Sequence, residues 1–154
     1  MNVEPENTVG VIVARFQVPE LHEGHRHLIR FVAERHYFAS DILIALGSPR
    51  GMPTTRDPLS FELRKQMVLQ ALPHSFDVTN LTFAELHDHP VSHHAWSGDL
   101  DDCIRAAFPG RDAILYGSRG SFISLYTGTF PTFEVPPVPA VSGTTLRQEL
   151  EPTH

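Results

Sequence analysis

The fold turns on residues 9–25: Val9-Gly10-Val11-Ile12-Val13-Ala14, then Arg15-Phe16-Gln17-Val18-Pro19-Glu20-Leu21-His22-Glu23-Gly24-His25. The first six residues form a short, β-branched apolar run without polar alternation. Such a run predicts a strand buried on both faces. The run stops at Arg15. After a loop, His25, Leu28, Ile29 and Val32 recur at the spacing of one helical face.

The same alternation continues outward along the chain. Ile42 to Leu46 reads as a second buried strand, ended by Gly47-Ser48-Pro49. Residues 48–59 are a Pro/Gly/Thr-rich loop. Leu63, Met67, Val68, Ala71 and Leu72 mark a second helix that starts at Asp57-Pro58 or Ser60. Leu81 to Leu86 is a weaker strand. Trp96, Leu100, Cys103, Ile104 and Ala107 give a third helical stripe, with Asp99, Asp101 and Asp102 expected near its first turns as complements to the dipole. Ala113 to Tyr116 reads as a strand, Ser121 to Tyr126 as a short helix and Thr132 to Val135 as a last strand. Pro136, Pro137 and Pro139 make a rigid connection, and Leu146 to Leu150 a closing helix capped by Thr144 or Thr145. Strands alternating with helices predict a mostly parallel sheet covered on both faces, with right-handed crossovers. Ligands in such sheets bind at the carboxyl ends of the strands. The loops of interest are therefore 15–24, 47–60, 87–95, 117–120 and 136–145.

The 154 residues suit one domain, taken as 1–154. Twelve basic against 18 acidic residues leave a formal charge of −6, which gives no general attraction to nucleic acid or to an anionic membrane. A phosphate ligand would need a local positive pocket. Hydrophobic residues make up 41% and charged residues 19%, a balance that argues against disorder. No apolar run approaches a membrane span, and Met1 to Thr8 lacks the pattern of a signal peptide. A soluble cytoplasmic protein is expected, and a homo-oligomer is compatible with the sequence. A single cysteine, Cys103, excludes an internal disulfide framework and a Cys-based zinc site.

The loop after the first strand carries the chemistry. His22-x-Gly24-His25 stands at a helix start, where unpaired N–H groups and a partial positive charge favour anions. Two imidazoles there can donate to phosphate oxygens, Arg15 adds a full charge, and Gly24 lets backbone and ligand approach. A site of this kind needs no protein nucleophile, because it stabilises charge on a transferring phosphoryl group. Two histidines alone would be an ordinary helix start or half of a zinc site. The full run of strand, Arg-Phe-Gln, Pro, His-x-Gly-His and helix is far more specific.

That run resembles the first signature of the nucleotidyltransferase superfamily named for its HxGH or HIGH motif. Val141-Ser142-Gly143-Thr144-Thr145-Leu146-Arg147 resembles the second, Ile-Ser-Gly-Thr-x-Ile-Arg. Gly47-Ser48, with Arg56-Asp57-Pro58-Leu59-Ser60-Phe61-Glu62-Leu63-Arg64, is similar to the Arg-Asn-Pro-Phe-Ser-Phe-Glu-Glu-Arg segment of one branch. That branch holds archaeal-type nicotinamide-nucleotide adenylyltransferases and the transferase half of proteins fused to a Nudix hydrolase. The resemblance spans about residues 9 to 150. It implies a Rossmann-like, cytidylyltransferase-like α/β sandwich of three layers. Its five-stranded parallel sheet would run in the order 3-2-1-4-5, with the site at the switch between strands one and four.

The resemblance also implies roles. His22, His25 and Arg147 would be catalytic, with both histidines on the nucleotide triphosphate. Arg15, Phe16, Gln17, Gly24, Gly117, Ser118, Arg119, Ser142, Gly143 and Thr144 would bind the nucleotide. Taken alone, Ser-Gly-Thr-Thr is more simply a helix cap, and Gly117-Ser118-Arg119 is as easily an exposed turn. Arg56, Arg64, Asp88, Ser92 and Trp96 would meet the acceptor. In the branch, Asp-x-x-Tyr-Asn-Asp-x-x-Trp lines a pyridine pocket. Here Asp88 and Trp96 remain, Val91 and Ser92 replace the Tyr and Asn, and Ala14 replaces a Gly before Arg-Phe-Gln. With no Lys or Arg in 87–96, Asp88 predicts an acceptor carrying nicotinamide over one carrying nicotinic acid. His87, His89, His93 and His94 read as solvated surface, with no metal site, and Cys103 as a small core residue.

The expected reaction is transfer of AMP from ATP to nicotinamide mononucleotide (NMN), with Mg2+ on the ATP phosphates and pyrophosphate leaving. The partners are ATP and a phosphate-bearing acceptor, without nucleic acid or membrane. Another adenylyl- or cytidylyltransferase, or an inactive nucleotide-binding regulatory module, are the alternatives.

Overall fold

Five parallel strands form one sheet in the order β3-β2-β1-β4-β5. They are β1 (Val9–Ala14), β2 (Ile42–Ser48), β3 (Leu81–His87), β4 (Ala113–Gly117) and β5 (Thr132–Glu134). The helices are α1 (Glu23–Arg35), α2 (Phe61–Ala71) and α3 (His93–Ala107), with a short 3-10 helix at Phe122–Leu125. The computed structural model describes residues 8–18, 21, 23–36, 41–49, 58–72, 81–89 and 92–137. The expected closing helix at Leu146 to Leu150 lies outside them.

β1, β2 and β4 are buried along almost their whole length, as unalternating apolar runs require. Their side chains feed two cores. Ile12, Ile44, Leu46 and Tyr116 pack with Leu28, Ile29 and Val32 of α1 and Val68 of α2. Val11, Val13, Leu43 and Leu115 pack with Leu100 and Ile104 of α3 on the other face. The result is the Rossmann-like three-layer sandwich, with the order reversing between β1 and β4.

Two local expectations are corrected, at Leu63 and at Asp101. The buried side of α2 is Arg64 and Val68, whereas Leu63 is 48% exposed. Its cap is Ser60, whose Oγ accepts from Leu63 N at 3.1 Å. α3 begins at His93, so Asp101 lies in mid-helix and not in the first turn. It is buried, and it accepts from the Tyr126 hydroxyl, from Thr129 N at 2.9 Å and from Thr129 Oγ1 at 3.1 Å. Asp101 thus ties the segment before β5 to α3. Cys103 is half-buried, and desolvation raises its thiol pKa.

Candidate functional site

The carboxyl ends of the strands surround a cavity of about 570 Å³, a size typical of small-ligand sites. Arg15, Phe16 and His25 reach it from the β1–α1 connection, and Gly47 from the end of β2. Asp88, His89, His93 and Trp96 line the β3–α3 side, and Ser118, Ser121 and Phe122 the segment after β4. Trp96 and Phe122 approach each other with ring centroids 6.0 Å apart, so the two sides share an aromatic wall.

β1 hands over to this site through a strained residue. Phe16 has φ of +52°, in the left-handed region that non-glycine residues rarely adopt. Such a residue costs roughly 1–3 kcal/mol and persists where its surroundings over-determine it. Here the ring is buried in the α1-side core and meets His25 edge-on at 5.4 Å. The next residue is clasped. Gln17 Nε2 donates to the Leu59 carbonyl at 2.9 Å, and Leu59 N donates to Gln17 Oε1 at 2.8 Å.

Arg15 crosses the end of β2 to reach Asp88. Its Nη1 and Nη2 donate to the two carboxylate oxygens at 2.6 and 2.9 Å. A Cβ on Gly47 would lie 3.1 Å from Arg15 Nη1 and 3.3 Å from its Cγ, so the glycine gives the side chain its path. Gly117 plays a similar part at the end of β4. A Cβ there would stand 2.3 Å from Ser121 Oγ and 2.8 Å from Phe122 Cε1. Its absence lets residues 118–122 fold over the strand end, helped by Gly120 at φ of +74°. Ser121 Oγ is buried there without a hydrogen-bond partner among the described residues.

The expected site residues divide accordingly. Arg15, Phe16, His25, Asp88, Trp96 and Ser118 are brought together around the cavity. Gln17 is spent on Leu59, and Gly24 sits in the first turn of α1. Arg119 is exposed on the turn after β4. Ser92 caps α3, its Oγ accepting from Ala95 N at 3.0 Å. His22, Arg56, Ser142, Gly143, Thr144 and Arg147 lie outside the described residues.

Arg64 departs from its expected role on the acceptor. It is only 1% exposed. Its guanidinium donates to the carbonyls of Arg15 (2.9 Å), Gly47 (2.6 Å) and Ser60 (3.2 Å) and to Ser48 Oγ (2.5 Å). It ties the ends of β1 and β2 to α2 beneath the cavity. The argument from a lone Asp88 charge also changes, because Arg15 offsets that carboxylate from another strand. The expectation that nicotinamide is preferred over nicotinic acid therefore loses its electrostatic basis.

Sequence reasoning missed His89, His93, Ser121, Phe122, Leu125 and Gly47 as cavity residues. The signal was partly present, since 87–95 and 117–120 are strand-end loops. The expectation of a solvated His-rich run holds for His87, His93 and His94, which are exposed, whereas His89 is half-buried; His89 and His93 also line the cavity. Among the described residues, no three His, Cys, Asp or Glu side chains gather to hold a metal ion.

No family model and no curated protein matches the chain. Twelve chains of solved structures do, among them two from one organism. Both are of a bifunctional NMN adenylyltransferase/ADP ribose pyrophosphatase from Francisella tularensis, one of them complexed with AMP and Mn ion. Each is 24% identical over 93% of this chain, with a TM-score of 0.67. The likeness shows a shared fold. The chain spans 41% and 42% of those two chains, well under half of the bifunctional protein.

Proposed function

We propose that the chain is a nucleotidyltransferase domain that transfers AMP from ATP to NMN, giving NAD and pyrophosphate. One observation carries the reading. A cavity at the β1/β4 switch point is lined by Arg15, Phe16 and His25 beside the N-terminus of α1, the kind of place where phosphates bind. The shared fold supports it, and the Francisella tularensis protein that shares it is an NMN adenylyltransferase/ADP ribose pyrophosphatase.

In this reading an oxygen of the acceptor phosphate attacks the α-phosphorus of ATP in line. The bond to the β-phosphate oxygen breaks, and pyrophosphate leaves with the electron pair. The protein holds the partners in register and neutralises charge, without forming a covalent intermediate. His25, with His22, donates to triphosphate oxygens. Arg147 would grip the β and γ phosphates by its planar fork, with Ser142, Gly143 and Thr144 beside it. Ser118 and the turn 117–119 would meet the nucleotide, and Arg56, Asp88 and Trp96 the acceptor. Mg2+ belongs to the ATP phosphates and supplies charge neutralisation there. The donor set fits a cation held by phosphate oxygens, because Asp88, the one carboxylate among the described cavity residues, already binds Arg15.

The test is pyrophosphate release and NAD formation from ATP, NMN and Mg2+. Each component should be required. His25→Ala should lower kcat roughly 10²–10³-fold, the scale for losing one preorganised donor. Near wild-type kcat in that variant would remove His25 from the site. No product from NMN with any nucleoside triphosphate would remove the reading itself.

A further inference from the structure

The described histidines fall into two groups. His27 bonds the Pro136 carbonyl at 2.9 Å, and His36 bonds the Thr8 carbonyl at 3.1 Å and the Tyr116 hydroxyl at 2.8 Å. His94 Nδ1 lies 3.2 Å from Thr127 Oγ1, His87 Nδ1 3.5 Å from the Pro49 carbonyl, and His25 packs against Phe16. These rings are bound to the fold. His89 and His93 are not: neither imidazole has a hydrogen-bond partner among the described residues. Both line the cavity, on the same wall as Trp96.

His89 is the more telling of the two, because its Nδ1 is buried. A buried ring nitrogen without a partner is costly, and native structures keep few of them. A leucine at this position would avoid the cost. Among the described residues, no hydrogen bond fixes the ring about its Cβ–Cγ bond. A half-turn keeps its outline while exchanging nitrogen for carbon on each edge. The ring can therefore offer a nitrogen to whatever fills the cavity. Its surroundings narrow what that is. Asp88, its chain neighbour, has both oxygens on Arg15. His93 and Trp96, three residues apart on α3, share a helix face. A flat ring against Trp96 would place its substituents beside these imidazoles.

We infer that His89 is a specificity-determining residue that donates a hydrogen bond to an exocyclic carbonyl oxygen on the aromatic ring of the acceptor. The ligand class is a mononucleotide whose flat base bears a carboxamide or a carboxylate. This assignment rests on the acceptor reading above.

The experiment compares kcat/KM at saturating ATP and Mg2+ for three pyridine mononucleotides: carboxamide, carboxylate, and the form without a ring substituent. Wild type should favour the carbonyl-bearing forms over the bare ring by roughly tenfold to a hundredfold, the scale of one strong hydrogen bond. The carboxamide and carboxylate arms show which source of the oxygen is preferred. His89→Leu should bring the ratio to the bare ring near one and leave the KM for ATP unchanged. His89→Asn mimics a nitrogen at Nδ1 and His89→Gln one at Nε2, so one of them should restore the preference. The midpoint of urea unfolding of His89→Leu should equal or exceed that of wild type, since an unpartnered polar atom has been removed. An unchanged ratio in His89→Leu, failure of both amides to restore it, or a lower unfolding midpoint would each overturn the assignment alone. If wild type turns over none of the three compounds, the acceptor reading falls and takes this assignment with it.

Discussion

Replacing Arg64 tests how the floor of the cavity is built. Arg64→Met keeps the apolar stem and removes a guanidinium that donates to three carbonyls and one hydroxyl. The Gly47 carbonyl, at 2.6 Å, and Ser48 Oγ, at 2.5 Å, would lose close, buried donors. Bonds from a charged donor are worth ~1.5–3 kcal/mol each, and they do not add fully when they share one group. Breaking such a buried charged arrangement costs about 3–5 kcal/mol. For a chain of this length, 1 kcal/mol moves the melting temperature by about 2–4 °C, so a fall of roughly 6–20 °C is expected. Arg64→Lys keeps a charge but loses the fork, and it should fall in between. Thermal melts by circular dichroism, with urea unfolding for the free energy, measure both. At a temperature where the lysine variant is folded, its KM for the acceptor should match wild type. A methionine variant within about 1 kcal/mol of wild type would refute the structural role. A stable lysine variant with a tenfold higher acceptor KM would return Arg64 to the acceptor site.

Gly117→Ala should destabilise the protein by about 1–3 kcal/mol through overpacking against Ser121 and Phe122; calorimetric titration with ATP should also show weaker binding. Tyr126 is held neutral by burial and by its bond to Asp101, which raise its pKa above the ordinary value of 10. A raised folded-state pKa means that this contribution is complete below pH 10 and declines as pH rises beyond it. Melting temperatures should therefore fall above that pH. Tyr126→Phe should reduce the fall without abolishing it, because burial also raises the pKa of Tyr116. A pH profile identical to wild type would dissociate Tyr126 from the effect.

The strands were legible because a fully buried parallel strand needs a short run of apolar, β-branched residues, and that demand is local. Val9 to Ala14 needs no partner to be recognised. The structure only lengthens the others by one or two residues at their carboxyl ends, to Ser48, His87 and Gly117, and trims the last to Glu134. Which strands neighbour each other is not a local property, and here the expected order came from resemblance, not pattern. The apolar stripes of α2 and α3 hold at Val68, Leu72, Leu100 and Ile104, but the charged residues buried beside them are not legible for a related reason. Burial of Arg64 and Asp101 is decided by what waits opposite them. Carbonyls at the ends of β1 and β2 accept from the guanidinium, and Tyr126 and Thr129 donate to the carboxylate.

For the candidate site, the sequence by itself pointed to the strand ends, because Arg15, Gly24 and His25 are concentrated beside one strand and one helix start. Tertiary structure alone decided the partners. Arg15 and Asp88 are 73 residues apart, and no local pattern encodes their bidentate pair across Gly47. The same holds for His89 and His93. A polar, His-rich run looks like solvated surface until the sheet order sets it beside Trp96 and Arg15 around a common cavity. Local sequence fixes the conformation of short segments through sterics and periodicity. Electrostatic pairing and burial depend on distances through space, which only the closed fold supplies.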